Sequence, residues 1–304
     1  MTQLSLEPPV RLSERDGTER PRHLSEQVED AERILTEARR LWTPHKSFVL
    51  FSGGNDSLVL LHLAKVYGWA PDGVIHVNTG TGVPETTEFV RQTCADWGME
   101  LHELHPPKSY EEVFIEEAVI DGLPGPGMHR IAYARLKERA LERFTTGQKA
   151  KRRDKIMLLT GIRRDESVKR MGYDSTVIDR RWCRVWVNPI FYMTRTEMDA
   201  YRGLYGLPKN PVSENLHISG ECLCGCFARP DELEEIRFFY PEVARRIEGW
   251  QAQAAEKGLT YCEWGQRRKA SKEDDGGRLC GTCVGRQMAL EEADLPPCES
   301  LEDE

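Results

Sequence analysis

The chain has 304 residues, and 39% of them are hydrophobic, which allows one large domain or two modest domains with a buried core. The formal net charge of −8 excludes a surface that attracts nucleic acid everywhere, although the run 149–155 is locally basic. No apolar run approaches the roughly 18 residues of a membrane span, and the first residues lack the apolar core of a secretory signal. We therefore expect a cytoplasmic protein without a membrane partner.

The first hundred or so residues predict alternating helices and strands. Residues 1–23 are polar and rich in Pro, Arg and Glu, which predicts a flexible tail. Apolar positions at helical spacing then predict a helix from Ser25 that ends before Pro44. The next predicted elements are a strand from about Phe48, a helix at 58–67, a strand at 73–77, a helix at 85–97 and a strand at 101–104. This alternation favours an α/β fold with a doubly wound, mostly parallel sheet.

The stretch between the first buried strand and its helix is the most informative one. Ser52-Gly53-Gly54 follows the strand, and Asn55-Asp56-Ser57 leads into the apolar helix. A helix N-terminus carries unpaired N–H groups and partial positive charge, and glycine lets the backbone approach a phosphate closely. The two serines add hydroxyl donors, while the aspartate suits helix capping or a bound Mg²⁺. The stretch predicts a phosphate cradle, although the Gly-Lys-Ser/Thr ending of a Walker loop is missing.

The second half of the chain continues the alternation and then changes character. A glycine and proline cluster at 123–127 precedes a predicted helix at 131–144, on which we expect Arg135, Lys137 and Arg139 to be exposed. A strand at 156–160 leads to Gly161, a hairpin is expected at 177–187 with Cys183 in its second limb, and Thr194–Glu197 fits a capping box. A helical run is expected at about 231–256.

Three short stretches each follow a predicted strand, namely the Ser52–Ser57 stretch, Thr79-Gly80 and Gly161. Ligands of open α/β sheets bind at the carboxyl ends of the strands. We therefore expect these stretches to converge on one ligand. The domain organisation that follows is a tail at 1–23, an α/β domain with the phosphate cradle at 24–215 and a cysteine-rich unit at 216–304.

Nine cysteines in a cytosolic chain indicate metal or redox chemistry rather than a disulfide scaffold. Four thiolates around one centre suit zinc or an iron–sulfur cluster. The alternative is that these cysteines bind no metal and are buried as small hydrophobic side chains. The pair Cys280 and Cys283 forms a C-x-x-C hook, and three more cysteines lie within five positions. The first choice of ligands is Cys222, Cys224, Cys280 and Cys283, with Cys226 or Cys183 as alternates.

The Ser52–Ser57 string resembles the PP-loop of the adenine-nucleotide α-hydrolase superfamily. Four further stretches, in the expected order, are similar to family motifs. They are Val77–Gly80 with Pro84–Val90, in which Asn78 replaces the usual Asp; Thr160–Ser167 with Arg170; Arg181-Trp182-Cys183; and Asn188–Ile190 with Leu207–Pro211. Over residues 45–230 the chain is similar to the phosphoadenosine phosphosulfate (PAPS) reductase family and its DNA-phosphorothioation relatives.

The resemblance implies a ligand, cofactors and site residues. The ligand would be ATP, or else PAPS or adenosine phosphosulfate (APS), and the cofactors would be Mg²⁺ and a [4Fe–4S] cluster, with zinc as the alternative. Arg163 and Arg164 would neutralise phosphate or sulfate oxygens and act in catalysis with Asp56 and Ser57; the alternative is a surface ion-pair network with Asp165 and Glu166. The remaining nucleotide contacts would come from Ser52, Gly53, Gly54, Asn55, Thr79, Gly80, Gly161, Glu166 and Ser167.

Three functions are compatible with these patterns. The first is a PAPS-reductase-like ATP pyrophosphatase that acts in sulfur transfer, such as DNA phosphorothioation, with DNA or a sulfur-carrier protein as a partner. The second is a sulfonucleotide reductase that makes sulfite, but such an enzyme needs a C-terminal Glu-Cys-Gly-Leu/Ile-His motif that the sequence lacks. The third is an accessory subunit that binds nucleotide and metal. The sequence leaves the oligomeric state open.

Overall fold

A seven-stranded sheet forms the centre of the molecule, with strand order β1-β6-β7-β5-β2-β3-β4. The computed structural model describes residues 3–4 by their backbone, and residues 23–164 and 177–268. The strands are β1 (Gln3–Leu4), β2 (Lys46–Leu50), β3 (Val74–Val77), β4 (Leu101–Leu104), β5 (Ile156–Leu159), β6 (Ile178–Arg181) and β7 (Arg184–Val187).

The five strands from β7 to β4 run parallel, whereas β6 and β1 are antiparallel additions at one edge. The parallel pairs are joined by long connections, as parallel pairing requires, while a two-residue turn joins β6 to β7 and makes them antiparallel. The predicted mostly parallel, doubly wound α/β sheet is therefore confirmed. Cys183 lies in the β6–β7 turn rather than in the second limb of the hairpin, because β7 begins at Arg184.

Nine α-helices lie in the described residues, together with π-helical turns at Glu112–Glu116 and Ala134–Glu138. The second π-helical turn joins α4 to α5, so that 129–147 is one helical run. The helices are α1 (Leu24–Trp42), α2 (Asn55–Tyr67), α3 (Pro84–Asp96), α4 (His129–Tyr133), α5 (Arg139–Gly147), α6 (Arg195–Leu204), α7 (Pro211–Leu216), α8 (Glu232–Phe239) and α9 (Pro241–Glu256).

Two helix boundaries differ from the prediction in an informative way. Helix α2 begins at Asn55 instead of Leu58, so Asp56 and Ser57 belong to its first turn. The run predicted at 231–256 is two helices, because Tyr240 leaves helical geometry at φ −136° and Pro241 starts a new helix. The predicted capping box is present, since Thr194 accepts from the Glu197 backbone N–H and the Glu197 carboxylate accepts from the Thr194 N–H.

Both faces of the sheet are covered. Neighbouring residues on a strand point to opposite faces, and on β2 Val49 packs with α1 and α2, whereas Phe48 packs with Leu141 on α5. None of the described helices is both long and apolar enough to cross a bilayer.

A third apolar cluster lies beside the sheet and combines distant parts of the chain. It includes Tyr110 and Phe114 from the first half and Leu216, Cys224 and Trp250 from the second. The predicted division at 215/216 stays a prediction, but residues 216–264 share this cluster with residues 83–136. The shared cluster fixes the described cysteines against the end of the parallel sheet.

Candidate active site

The phosphate loop, defined as Ser52–Ser57, follows β2 at the carboxyl end of the sheet and is closed by its own serines. The Ser57 hydroxyl donates to the Gly54 carbonyl at 2.9 Å, and its Oγ accepts from the Ser52 N–H at 3.3 Å. The two serine Oγ atoms are 3.1 Å apart. Gly53 has φ +77°, which favours glycine. Since α2 begins at Asn55, the loop ends in the N-terminal turn of a helix, where N–H groups point outward.

Asn210 fastens the phosphate loop to its surroundings. Its side chain is almost fully buried, and its Nδ2 donates to the Gly53 carbonyl at 3.0 Å, to the Ser219 carbonyl at 3.2 Å and to Thr86 Oγ1 at 3.3 Å. Its Oδ1 accepts from the Val212 N–H and caps α7. The sequence analysis included this residue in a motif but gave it no role; the signal for its capping role was its position just before Pro211.

Gly161 brings the segment after β5 directly against the phosphate loop. A Cβ at this position would lie 3.0 Å from the backbone N of Ser57 and 3.1 Å from the carbonyl carbon of Asp56. A side chain at this position would force the backbone of the phosphate loop to shift, so glycine favours the close approach. The structure therefore brings the phosphate loop and Gly161 together, as the strand pattern predicts.

The two predicted arginines lie in different environments. Arg163 is 5% exposed, and its Nε donates to Asp56 Oδ2 at 2.9 Å. The alternative ion-pair network with Asp165 and Glu166 stays a prediction, because both acids lie outside the described residues. Arg164 does not line the cavity described below; its guanidinium lies 6.0 Å from the Tyr192 ring centroid. Glu166 and Ser167 lie outside the described residues.

A cavity of about 840 Å³ opens in front of the phosphate loop, within the size range of small-molecule sites. Phe51, Ile75 and Val77 give it an apolar wall at the strand ends. Its polar lining combines the phosphate loop with residues from four other segments: Ser52, Gly54, Asn55, Asp56, Ser57, Tyr133, Lys137, Thr160, Gly161, Arg163, Arg195, Arg202, Ser213, Glu214, His217, Ser219 and Glu221.

Thr79 and Gly80 are not part of this lining, because the segment after β3 supports the cysteine segment, defined as Glu221–Cys226. The Thr79 hydroxyl donates to the Glu221 carbonyl at 3.1 Å. Thr81 Oγ1 donates to Cys222 Sγ at 3.6 Å and accepts from the Leu223 N–H at 3.2 Å. A Cβ at Gly82 would lie 2.4 Å from the Glu221 carbonyl oxygen, so this contact also depends on glycine. The predicted nucleotide contacts of Thr79 and Gly80 stay a prediction.

Lys137 lies in the cavity wall, and the expectation that it is exposed was wrong. Its Nζ contacts Glu221 Oε2 at 2.9 Å, and the side chains are 24% and 10% exposed. Tyr133, Lys137 and Leu141 follow each other every four residues on the 129–147 run and present one face to the cavity. Burial disfavours the ammonium, but Glu221 and then Cys222 outweigh it, so the pKa of Lys137 is raised.

Three of the four described cysteines among the predicted ligands and alternates, Cys222, Cys224 and Cys226, lie close together. The thiol of Cys224 lies near enough to those of Cys222 and Cys226 to interact with both. Contact with Cys224 and burial raise the pKa of Cys222 far above its usual range. For Cys224, contact with Cys222 lowers the pKa, but contact with Cys226 and burial outweigh it and raise the pKa to about 12.

These thiols have the donor chemistry that zinc or an iron–sulfur cluster requires, but they do not complete a site. In residues 23–164 and 177–268, no three His, Cys, Asp or Glu side chains are arranged to hold a metal ion. Cys280 and Cys283 lie outside the described residues, so the four-cysteine set stays a prediction.

The alternate ligand Cys183 lies elsewhere. Its carbonyl accepts from the N–H of Ile156, the first residue of β5, which is the opposite end of the sheet from the phosphate loop. Cys262, which the sequence analysis did not single out, packs against the same apolar cluster as the cysteine segment.

Several solved structures are similar to this chain at low sequence identity. PAPS reductase from Candida auris, in a phosphate complex, is 16% identical over 64% of this chain and 93% of that chain, with a TM-score of 0.42. NMN synthetase from Francisella tularensis is 13% identical over 81% and 98%, with a TM-score of 0.45. The U34-tRNA thiolase from Methanococcus maripaludis, with its [4Fe–4S] cluster, is 14% identical over 81% and 88%, with a TM-score of 0.41. No statement about function follows from these similarities.

No curated protein sequence matches the chain. The model of the phosphoadenosine phosphosulfate reductase domain matches residues 46–227. This range includes the phosphate loop, Gly161, Lys137 and the whole cysteine segment, and it spans more than half of the chain. The protein therefore belongs to the phosphoadenosine phosphosulfate reductase family.

Proposed function

We propose that this protein is an enzyme that binds ATP with Mg²⁺, cleaves it at the α-phosphate and releases pyrophosphate in a sulfur-transfer reaction such as DNA phosphorothioation. The observation that carries the proposal is the phosphate loop, which its serines close at the N-terminus of α2 and which lines a cavity of about 840 Å³. Such a helix N-terminus favours phosphate through its free N–H groups and its dipole.

The charges around the cavity suit a polyphosphate. Its lining contains four cationic and three acidic side chains. The cations are Lys137, Arg163, Arg195 and Arg202, and the acids are Asp56, Glu214 and Glu221.

Asp56 is the candidate ligand for Mg²⁺, because magnesium bound to a nucleotide takes one or two protein carboxylates. Its Oδ2 accepts from Arg163, which fixes the carboxylate at the mouth of the phosphate loop. When bound, Mg²⁺ would supply charge neutralisation for the phosphate oxygens.

The main contribution of the chain to this reaction is to position the phosphates and the acceptor. An acceptor oxygen attacks the α-phosphorus, the bond between that phosphorus and the α,β-bridging oxygen breaks, pyrophosphate leaves with the electron pair, and the acceptor proton passes to solvent. Loop N–H groups and serine hydroxyls orient the phosphates, and Arg163 holds Asp56 in place. The cysteine segment, with Cys280 and Cys283, would hold a [4Fe–4S] cluster or zinc near the acceptor, which would be DNA or a sulfur-carrier protein.

Sulfonucleotide reduction is the second candidate, and membership of the family favours it. A reductase of this type needs a C-terminal nucleophilic cysteine in a Glu-Cys-Gly-Leu/Ile-His motif. Cys298 stands in Pro-Pro-Cys-Glu without the flanking Gly and His. A purely accessory role is less well supported, because the phosphate loop retains all of its hydroxyl and glycine residues.

A pair of assays separates these functions. We expect anaerobically purified protein to release pyrophosphate from ATP and Mg²⁺ in the presence of an acceptor, and to make no sulfite from PAPS with reduced thioredoxin. Ser57→Ala removes the hydroxyl that closes the loop and should weaken ATP binding about 10- to 100-fold, the range for a lost hydrogen bond near charge. Ser25→Ala, on the exposed start of α1, is the matched control. Robust sulfite formation would contradict the proposal.

A further inference from the structure

Arg202 lines the cavity, and the Nε of its guanidinium has no hydrogen-bond partner among the described residues. Its side chain is 15% exposed, so most of it is removed from water. Its Nε is fully buried and has no hydrogen-bond partner in the part of the chain that the structure describes. Its ion pair with Asp199 spans 3.6 Å between Nη1 and Oδ1, which is longer than a hydrogen bond.

This arrangement differs from that of the other buried arginines. Arg184, Arg246 and Arg268 also have a buried nitrogen without a partner, but each donates through Nη2 to an acceptor, namely Glu138, the carbonyls of Thr81 and Gly82, and the carbonyl of Leu123. Arg163, the other deeply buried arginine of the cavity, has Asp56. Among the described residues, only Arg202 combines a place in the cavity lining with an unpartnered buried N–H.

The position of Arg202 is fixed by its helix. The adjacent Tyr201 is buried, and its hydroxyl lies 2.8 Å from His62 Nδ1 on α2, the helix that begins in the phosphate loop. Arg195 and Arg202 are seven residues apart on α6, with Asp199 between them, so all three share one face. The two arginines both line the cavity, so this face of α6 borders the same space as the phosphate loop.

An unmet buried N–H costs roughly 1–3 kcal/mol, and such groups in folded proteins call for an explanation. A ligand oxyanion would supply the missing acceptor once the guanidinium turns toward the cavity, because its Nε and Nη donors form a fork that matches two oxygens of a phosphate. A bound phosphate would therefore accept a hydrogen bond from the Nε–H, which has no acceptor among the described residues.

We propose that Arg202 binds the terminal phosphates of the nucleotide, the part that leaves as pyrophosphate. The inference rests on the proposed function and adds a residue that no motif of the chain marks. Arg202 is therefore a binding residue for the leaving group. Its positive charge stabilises the negative charge that develops on pyrophosphate as the bond breaks.

The test compares three ligands, each with Mg²⁺, by titration calorimetry: inorganic pyrophosphate, ATP and AMP. We expect Arg202→Gln to weaken pyrophosphate and ATP binding about 10- to 100-fold, the range for a charged hydrogen bond, and to leave AMP binding unchanged. Arg202→Lys should restore binding only in part, because an ammonium lacks the fork. Arg245→Gln, which removes an exposed arginine outside the cavity lining, is the control.

Thermal unfolding without ligand distinguishes a binding role from a structural one. Because the Nε is unpaired in the ligand-free protein, Arg202→Gln should leave the melting temperature unchanged or raise it. A lowered melting temperature, or unchanged affinity for pyrophosphate and ATP, would overturn the inference. If the wild-type protein binds ATP and releases pyrophosphate while Arg202→Gln behaves identically, the inference fails alone; if the wild-type protein binds neither ATP nor pyrophosphate, the proposed function fails with it.

Discussion

The phosphate loop and the cysteine segment border the same cavity, but different kinds of contact hold them. The loop is closed by bonds between residues two to five positions apart, namely those among Ser52, Gly54 and Ser57. The cysteine segment is held by residues 41 to 142 positions away, namely Trp264, Lys137, Tyr110, Thr79 and Thr81. The bonds that close the phosphate loop are therefore local, although Asn210 and Arg163 also contact the loop from distant positions, whereas these bonds to the cysteine segment all depend on the assembled fold.

The difference predicts how each region responds to change. The local closure of the phosphate loop should tolerate changes elsewhere, except at the distant residues that contact it, Asn210, Arg163 and Gly161. A segment held at long range should loosen whenever one of its distant partners is lost, even if no cysteine is altered. Glu221 is the residue of the cysteine segment that lines the shared cavity, and its carbonyl and carboxylate accept hydrogen bonds from Thr79 and Lys137.

The largest expected effect is on the loop. Gly161→Ala would place a methyl group 3.0 Å from the Ser57 backbone N, at the position where a phosphate would accept hydrogen bonds. We expect ATP affinity to fall at least about 100-fold, which corresponds to roughly 3 kcal/mol, while the stability and the labelling of the cysteine segment remain those of the wild type. Calorimetry, urea unfolding and thiol labelling measure the three quantities.

Gly249→Ala is the matched control, because nothing lies within 4 Å of a Cβ at that helical position. It should leave ATP affinity unchanged and stabilise α9 slightly, by about 0.5–1 kcal/mol. An equal loss of ATP affinity in both variants, or faster thiol labelling in Gly161→Ala, would remove the distinction between the two regions.

The same distinction explains what the sequence could and could not predict. The alternation of helical and strand periodicity predicts the parallel sheet. The phosphate loop is recognisable from sequence because the hydrogen bonds that close it join residues within one six-residue stretch. Lys137 was expected to be exposed because nothing near it in sequence reveals that Glu221 covers its side of the helix. Thr79 is predicted in the nucleotide site because it follows a strand, but nothing near it in sequence reveals that its hydroxyl donates to the Glu221 carbonyl.

Arg202 was missed for a related reason. Its role is inferred from an Nε–H that has no hydrogen-bond partner among the described residues. No sequence pattern indicates that such a partner is missing. Asn210 lay in a recognised motif, but its three donor contacts come from segments before and after it that only the fold brings together.

An intermediate effect should follow from breaking the ion pair that joins the helical run 129–147 to the cysteine segment. Lys137→Met leaves the Glu221 carboxylate largely buried without its counter-charge, which should lower the free energy of unfolding by about 3 kcal/mol. The double variant Lys137→Met with Glu221→Gln should recover most of this loss, because it removes both charges. Urea unfolding at pH 7 measures the cycle; additive losses in the double variant would contradict the pairing.

The smallest expected effect isolates one hydroxyl. Thr81→Val keeps the shape of a buried side chain but removes the donor to Cys222 Sγ and the acceptor for the Leu223 N–H, which should cost about 1–3 kcal/mol. Because contact with Cys226 and burial outweigh the opposing contact with Cys222 and raise the pKa of Cys224 to about 12, its thiol stays protonated at pH 8, and its labelling should report opening of the segment. Labelling of Cys224 should therefore become about tenfold faster or more in Thr81→Val, since about 1.4 kcal/mol is tenfold in an opening equilibrium.

Thr145→Val is the control, because Thr145 is also buried but donates only to carbonyls of its own helix. It should leave labelling unchanged. If Thr145→Val and Thr81→Val accelerate labelling equally, the cysteine segment responds to global stability and not to its contact with the end of β3. If only Thr81→Val does so while its ATP affinity stays that of the wild type, the loop and the segment are separate units that line the same cavity.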